Sequence, residues 1–428
     1  MQSYTIMLDQ QKLCHCHFAI LIAFPLSFAV ETPSVTFAIE NSPITNHSSL
    51  ICAKGALKNM SVTLNNQLED LMFSSQIPDL DLTTSDDNEA VVSIVSGGAT
   101  VFSATHIPYQ RNIIVHDIRS VVEYYMRQGS HALRSFTLRA KHNGSTQTLA
   151  TFQAVYLEQH FTGDTEEFLR NNFLTTMEGK LMAPGATEFL YYYRKAYSQE
   201  TVRFRVVASV YDAEPRVFQY SPQNSISTID TISRIEVTMK LMLDAVESHG
   251  WVREHIRPLA CSVQVGARSF TFYVQDCEPN LTLYFRNAFN CFECCALQAV
   301  TTHKPKVDRS IAVTNRISTF YNQQNEKLYE VETSGLTMEQ ARWIEQLFYS
   351  HDVRMATKRT DFSQGYTPQG MPIVLITEPT CEISDADGEL NTVKFTYQYQ
   401  DRRTYLPTDY LSVDHDRIFT EQFDPSFQ

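Results

Sequence analysis

Glycine is scarce in this sequence. There are 14 in 428 residues, against about 30 at ordinary usage. Nucleotide-binding chemistry leans on glycine, because only a backbone without Cβ atoms can close around phosphate groups. The chain has no G-x-x-x-x-G-K-[ST] and no G-x-G-x-x-G stretch. It also lacks G-x-S-x-G and H-E-x-x-H, so no familiar nucleophile elbow or zinc-protease helix is written in it. A block of Lys and Arg is missing too, and the formal net charge is −13. Wrapping nucleic acid needs a basic surface to displace counterions, so direct binding of DNA or RNA is not expected.

Long apolar runs are also missing. The longest, His17 to Val30, is too short to span a bilayer, and no membrane span is expected. It has two readings. As a signal-peptide core it would end at Ser27-Phe28-Ala29, although Lys12 is the single cation before it and Asp9 offsets that charge. Otherwise it is a buried strand or an extension upstream of the true start.

Cysteine is present in odd number: Cys14, Cys16, Cys52, Cys261, Cys277, Cys291, Cys294, Cys295 and Cys381. Irregular spacing in a long chain fits reduced thiols better than a disulfide scaffold. Three clusters invite a metal reading. Cys291 and Cys294 have the spacing of a zinc knuckle, with His303 downstream, but no second pair follows at the required distance. Packing among aromatic neighbours is the favoured reading of these small side chains. Cys14-His15-Cys16-His17 puts four donors in adjacent positions, which cannot easily converge on one ion. Asp385, Asp387 and Glu389 outline part of a calcium loop, yet aligning Gly388 with its invariant glycine puts Ile383 and Lys394 at positions that need acids. No metal or cofactor is therefore expected, and Cys291, Cys294 and His303 are the weak candidates.

What the sequence has in quantity is aromatic residues, 26 Phe and 21 Tyr. These suit half-buried pleated surfaces. Alternation predicts strands at Val91–Val95, Thr100–Ser103, Ser135–Leu138, Thr151–Tyr156, Val202–Val210, Ile235–Leu243 and Thr392–Tyr399, and a fully buried one at Pro372–Ile376. Ser96-Gly97-Gly98 and Gly266-Ala267 mark hairpins. Helices are expected at 117–128, with Asp117 as N-cap, from Asp164, and at 337–349, where Thr337-Met338-Glu339-Gln340 outlines a capping box. Tyr191-Tyr192-Tyr193 beside Arg194 and Lys195 is a candidate interaction surface, or else a strand.

The expected fold is mainly β with a few short helices: tandem β-sandwich-like modules, each capped by a short helix. The modules are drawn as an apolar leader at 1–30, then 31–160, 161–305 and 306–428.

The last third carries a resemblance. Phe285-Arg286-Asn287-Ala288-Phe289, Asp308-Arg309-Ser310-Ile311-Ala312, Leu336 to Ser350, Pro372-Ile373-Val374-Leu375-Ile376-Thr377 and Leu390-Asn391-Thr392-Val393-Lys394-Phe395 follow in the order that resembles tail and tail-tip structural proteins of tailed bacteriophages and prophages of gut anaerobes. The resemblance implies a non-enzymatic tail, tail-tip or baseplate subunit. It implies assembly in the bacterial cytoplasm into a virion, with partners that are further copies of itself and other tail proteins, as a homo-oligomer. The apolar leader departs from that pattern and keeps open a secreted or periplasmic binding protein of the host.

Overall fold

A computed structural model of the chain describes residues 61–195, 200–221, 231–276, 279–333, 335–356, 370–376, 380–381 and 390–401. The chain divides into two units, Met1–Asn59 and Met60–Gln428, and every described residue lies in the second. The apolar leader, the Cys14–His17 run and the Asp385–Glu389 turn fall outside the described residues. The described chain is mainly β, with its strands in five sheets.

The first strands are β1 (Val62–Leu64), β2 (Leu71–Phe73), β3 (Leu80–Thr84), β4 (Ala90–Ser96), β5 (Ala99–His106) and β6 (Asn112–Val115). They are followed by α1 (Ile118–Gln128), β7 (Leu133–His142) and β8 (Ser145–Val155). They form a three-stranded sheet β1-β3-β6 and a five-stranded sheet β2-β8-β7-β4-β5. Strict alternation gives each sheet one apolar face. Leu80, Leu82, Ile113 and Val115 from the small sheet meet Val92, Ile94, Phe136 and Phe152 from the large one in a single core. Ile118, Val122 and Met126 of α1 enter the same core, the one-sided stripe that the helical spacing predicts. Asp117 does not cap the helix as expected. It sits at φ +60°, its backbone N–H donates to Asp79 Oδ1 at 2.9 Å, and its carboxylate accepts from the Ser120 hydroxyl. The β4–β5 turn has Gly97 and Gly98 at positive φ, as a two-residue hairpin requires.

After α2 (Thr165–Asn171), capped by the Asp164 carboxylate accepting from the Glu167 N–H at 3.0 Å, come β9 (Gly179–Met182), β10 (Thr187–Arg194), β11 (Val202–Val210), β12 (Arg216–Tyr220) and β13 (Thr231–Thr238). Then follow α3 (Met239–Glu247), β14 (Ile256–Val265) and β15 (Arg268–Val274). A five-stranded sheet β12-β11-β14-β15-β9 and a β10-β13 pair share one core with α3. The strand expected over Ile235–Leu243 ends at Thr238, whose hydroxyl accepts from the Leu241 N–H at 3.1 Å and starts α3. Met242, Ala245 and Val246 are its buried face, a helical spacing inside what reads as an apolar run.

The remaining elements are β16 (Leu281–Arg286), β17 (Phe292–Leu297), β18 (Ala299–Thr314), β19 (Ile317–Thr333), α4 (Met338–Tyr349), β20 (Val353–Met355), β21 (Met371–Leu375), β22 (Thr380–Cys381) and β23 (Val393–Tyr399). Their sheet runs β17-β16-β20-β21-β23-β19-β18, with β22 on β23. Its two outer strands, β17 and β18, are separated in sequence by Gln298 alone. The sheet therefore curls until its edges meet, like a barrel sealed by one bent strand. Ala341, Trp343, Ile344 and Leu347 of α4 pack into its core. The Thr337–Gln340 capping box forms as the sequence predicts. Two expectations change here. The expected break between 305 and 306 lies inside β18. In the strand expected to be fully buried, Ile373 is buried and Val374 is exposed, because β21 has one face on the core and one outside.

Phe136 is fully buried, stacked on Phe152 with ring centroids 5.6 Å apart and set edge-on to Tyr125 at 6.0 Å. Phe136→Ala is expected to cost about 3–5 kcal/mol, read as a lower urea midpoint. An unchanged midpoint would contradict this packing.

Candidate interaction site

A turn at residues 287–291, between β16 and β17, is buried throughout and is tied to every neighbouring part of the fold. The Asn287 side-chain amide donates to the Leu174 carbonyl at 2.8 Å and to Glu293 Oε1 at 2.6 Å. Its Oδ1 accepts from the N–H groups of Phe289 and Cys291, which folds the turn on itself. Gln346 of α4 accepts from the Ala288 N–H at 3.0 Å and donates to the Thr176 hydroxyl at 2.6 Å. Asn290, at φ +59°, donates to the carbonyls of Met126 and His131 at the end of α1. The Ala288 carbonyl accepts from the Glu158 N–H. Phe289 joins Phe73, Phe161 and Phe168 in an aromatic cluster with centroids 5.1–6.1 Å apart. Most of its buried polar groups are partnered, with Asn290 Oδ1 left without a hydrogen bond, and through them the turn bridges all three sheet groups.

Beside it lies a buried charge cluster. Lys180 Nζ is 2.6 Å from Glu188 Oε2 and donates to the Cys294 carbonyl at 3.0 Å. Glu293 accepts from the Trp343 indole N–H at 2.5 Å, and the Lys180 ammonium lies 5.1 Å from the Trp343 ring centroid. Burial opposes the lysine's charge, but the Glu188 and Glu293 carboxylates beside it outweigh that and hold its pKa above the ordinary lysine value. Burial pushes the Glu188 carboxyl upward. A matched pair of this kind fixes geometry more than it adds stability.

The tyrosines singled out as an interaction surface lie in the interior. Tyr191, Tyr192 and Tyr193 are 8%, 1% and 7% exposed. Their strand β10 is covered on both faces: Tyr192 packs in the core of the second sheet group, and Tyr191 and Tyr193 pack in the cluster around the 287–291 turn. Cys291 and Cys294 join that same cluster. His303 is exposed on β18, stacked on Tyr329 with centroids 4.9 Å apart. The cysteines thus lie in a buried cluster and the histidine on the exposed part of β18. Among the described residues, no three His, Cys, Asp or Glu side chains are grouped to hold a metal ion, and no helix is long and apolar enough to cross a membrane.

The surface holds a larger feature, absent from the sequence reading. β18 and β19 pair from Ala299↔Thr333 out to Thr314↔Ile317, but β19 meets β23 only over Tyr329–Glu332. Beyond that, residues 303–328 form a two-stranded arm about 40 Å long, at roughly 3.3 Å per residue. Among the described residues, β18 pairs with β19 alone. Asn315 and Arg316 close the tip at φ +53° and +65°, the left-handed pair of a tight hairpin turn. Val307, Ile311, Val313 and Ile317 are 45%, 59%, 68% and 70% exposed. Val307, Ile311 and Val313 alternate onto one face of β18.

The chain matches no protein family model and no curated protein. Among solved structures, the full extracellular region of plexin A4, domains 1 to 8, is similar over 81% of this chain at 8% identity and a TM-score of 0.18. The chain spans 40% of that plexin chain, and nothing about its fold or function rests on the likeness.

Two outcomes test the buried junction. Lys180→Met leaves Glu188 uncompensated and is expected to cost about 3–5 kcal/mol, whereas the double change Lys180→Met with Glu188→Leu recovers most of it. Equal losses in both, measured by denaturant unfolding, would contradict the pairing. Burial pushes the Cys261 thiol up to about 12 and those of Cys291, Cys294 and Cys295 upward as well. Since the thiolate is the nucleophile, alkylation at pH 8 is expected to spare these four until the protein is unfolded, read peptide by peptide by mass spectrometry. Labelling of any of them in the folded protein would count against the burial.

Proposed function

We propose that this chain is a non-enzymatic structural subunit of a tailed-phage or prophage particle, placed in the tail, tail tip or baseplate and acting through protein–protein assembly. The observation that carries the reading is the projecting arm. A two-stranded hairpin is marginal by itself in water, and exposed apolar side chains along an unpaired edge invite another polypeptide. The arm is anchored on a curled sheet whose place is fixed by the 287–291 turn, which suits a part that must present a contact in a set direction.

Three further features support the reading. The chain order from Phe285 to Phe395 resembles tail and tail-tip proteins, and the first stretch carrying that resemblance, Phe285-Arg286-Asn287-Ala288-Phe289, supplies the buried junction. The strands are read as tandem β-sandwich-like modules, each capped by a short helix, with α1, α3 and α4 each packed into a separate core. The buried ionisable groups Lys180, Glu188, Glu293 and Arg268 are engaged in holding elements together: Arg268 alone donates to the carbonyls of Leu169 and Tyr193 and pairs with Glu200. Such a subunit assembles in the bacterial cytoplasm and needs no cofactor.

Particles induced from a strain carrying the gene, purified by density gradient and analysed by quantitative mass spectrometry, are expected to contain the chain in several copies per particle. Its absence from intact particles would overturn the proposal.

A further inference from the structure

Among the described residues, one lysine–carboxylate contact differs from the rest. Lys195, Lys304, Lys306 and Lys394 pair with acids at the surface, where their own side chains are exposed and water keeps both partners ionised. Lys180 and Glu188 have side chains only 6% and 1% exposed, with Nζ 2.6 Å from Oε2. The Cδ of that carboxyl is at most one bond further from Nζ than Oε2 is, close to the ~3–3.5 Å at which reacting atoms stand before attack. Neither Glu188 oxygen has a hydrogen-bonding partner in line with it, so the two groups touch without the geometry of a settled ion pair. The Cys294 carbonyl accepts from Nζ at 3.0 Å and holds it in place. The rings of Phe272 and Trp343 stand 5.9 and 5.1 Å from Nζ.

We propose that Lys180 and Glu188 condense to an amide, a covalent bond between side chains that ties β9 of the five-stranded sheet to β10 of the β10-β13 pair. Nζ is the nucleophile and Cδ the electrophile. One ammonium proton passes to the Glu188 carboxylate, which leaves an amine and a neutral acid. The amine lone pair attacks Cδ. A second proton then leaves the nitrogen, the C–O bond to the hydroxyl breaks, and the hydroxyl departs with that proton as water. One ammonium and one carboxylate become one amide and one water, and no oxidant or cofactor is consumed. Glu293 carries the second proton. It is the other carboxylate whose charge bears on Lys180, and the Trp343 indole and the Asn287 amide hold it at 2.5 and 2.6 Å.

Burial favours the product. In water, amine and acid are stabilised as hydrated ions; here both have lost that hydration, and condensation removes both charges at once. A dry site also opposes the reverse hydrolysis. Burial pushes the Glu188 carboxyl upward, toward the neutral acid that the attack needs. The two carboxylates keep Lys180 charged, so the free amine arises only by proton transfer inside the cluster, and condensation is slow. The buried Arg268–Glu200 pair has no such chemistry open to it, because a guanidinium does not give up its proton.

The test is the mass of the full chain, followed from purification through prolonged incubation. A species lighter by one water is expected to accumulate. Trypsin should leave Asn171–Arg194 uncut at Lys180 in that species, and cyanogen bromide should leave the segments on either side of Met182 joined through Lys180 and Glu188. Lys180→Arg keeps the charge but offers no amine that can condense, and should retain its full mass. Glu293→Gln, shown to be folded by near-UV circular dichroism, should slow the accumulation at least about tenfold. A folded wild-type chain that keeps its full mass would overturn the inference whatever the variants do. So would a water loss mapped to other residues, a link that also forms in denaturant or in Lys180→Arg, or a Glu293→Gln chain that converts at the wild-type rate. The unfolding comparison of Lys180→Met with the double change reads chains of full mass, before condensation. Particle composition is a separate readout: a chain found in particles at full mass loses the bond and keeps the proposed function, and a bonded chain absent from particles does the reverse.

Discussion

Asn287, Ala288, Phe289, Asn290 and Cys291 form a turn that lies inside the protein, and a turn exposes backbone N–H and C=O groups that a sheet would have paired. Burying it is tolerable only if other parts of the chain supply partners. Here Gln346 of α4, the Glu158 N–H and the Asn287 side chain meet the turn's backbone groups, while the Asn287 and Asn290 amides reach the carbonyls of Leu174, before β9, and Met126, in α1. Satisfying one turn therefore fixes three sheet groups at once. Displacing any of them would strand several buried polar groups together, each at about 1–3 kcal/mol.

The charge cluster next to this turn works in the same way. Lys180 comes from β9, Glu188 from β10, Glu293 from β17 and Trp343 from α4. None of these groups gains much from being buried, since desolvation offsets most of the attraction. What they provide is a geometry in which other arrangements leave a charge unpaired. That rigidity matters at the surface, because β18 begins one residue after β17 and runs on into the arm from His303. The direction of the arm is thereby tied to strands whose position the junction sets.

Much of the local structure was legible. The capping box at Thr337–Gln340, the cap at Asp164, the Gly97-Gly98 and Gly266 hairpins and the inward face Val393, Phe395 and Tyr397 all depend on contacts within a few residues, and all appear where the pattern puts them. The arm was not legible for a specific reason. Val307, Ile311 and Val313 alternate, but Arg309 interrupts their row and polar residues flank it, so the pattern is too short to mark a strand of 16 residues. Its turn is Asn315-Arg316, which lacks the glycine that flags a tight hairpin. The Tyr191–Tyr193 run was open to two readings because three like residues in a row are compatible with a one-sided strand and with a two-sided one. The same ambiguity hid α3, since Met239 to Val246 is apolar enough to read as strand until Thr238 caps it.

The sequence by itself determined the β-rich character, the caps and turns, the acidic balance and the shortage of glycine-built binding loops, because each follows from composition or from neighbours along the chain. Only the tertiary structure decided which strands are buried on both sides, that a short Asn-rich turn is the common anchor of three sheet groups, and that residues 303–328 stand away from the body. Those facts depend on what packs against a residue from far away in the chain, and no local pattern carries that information.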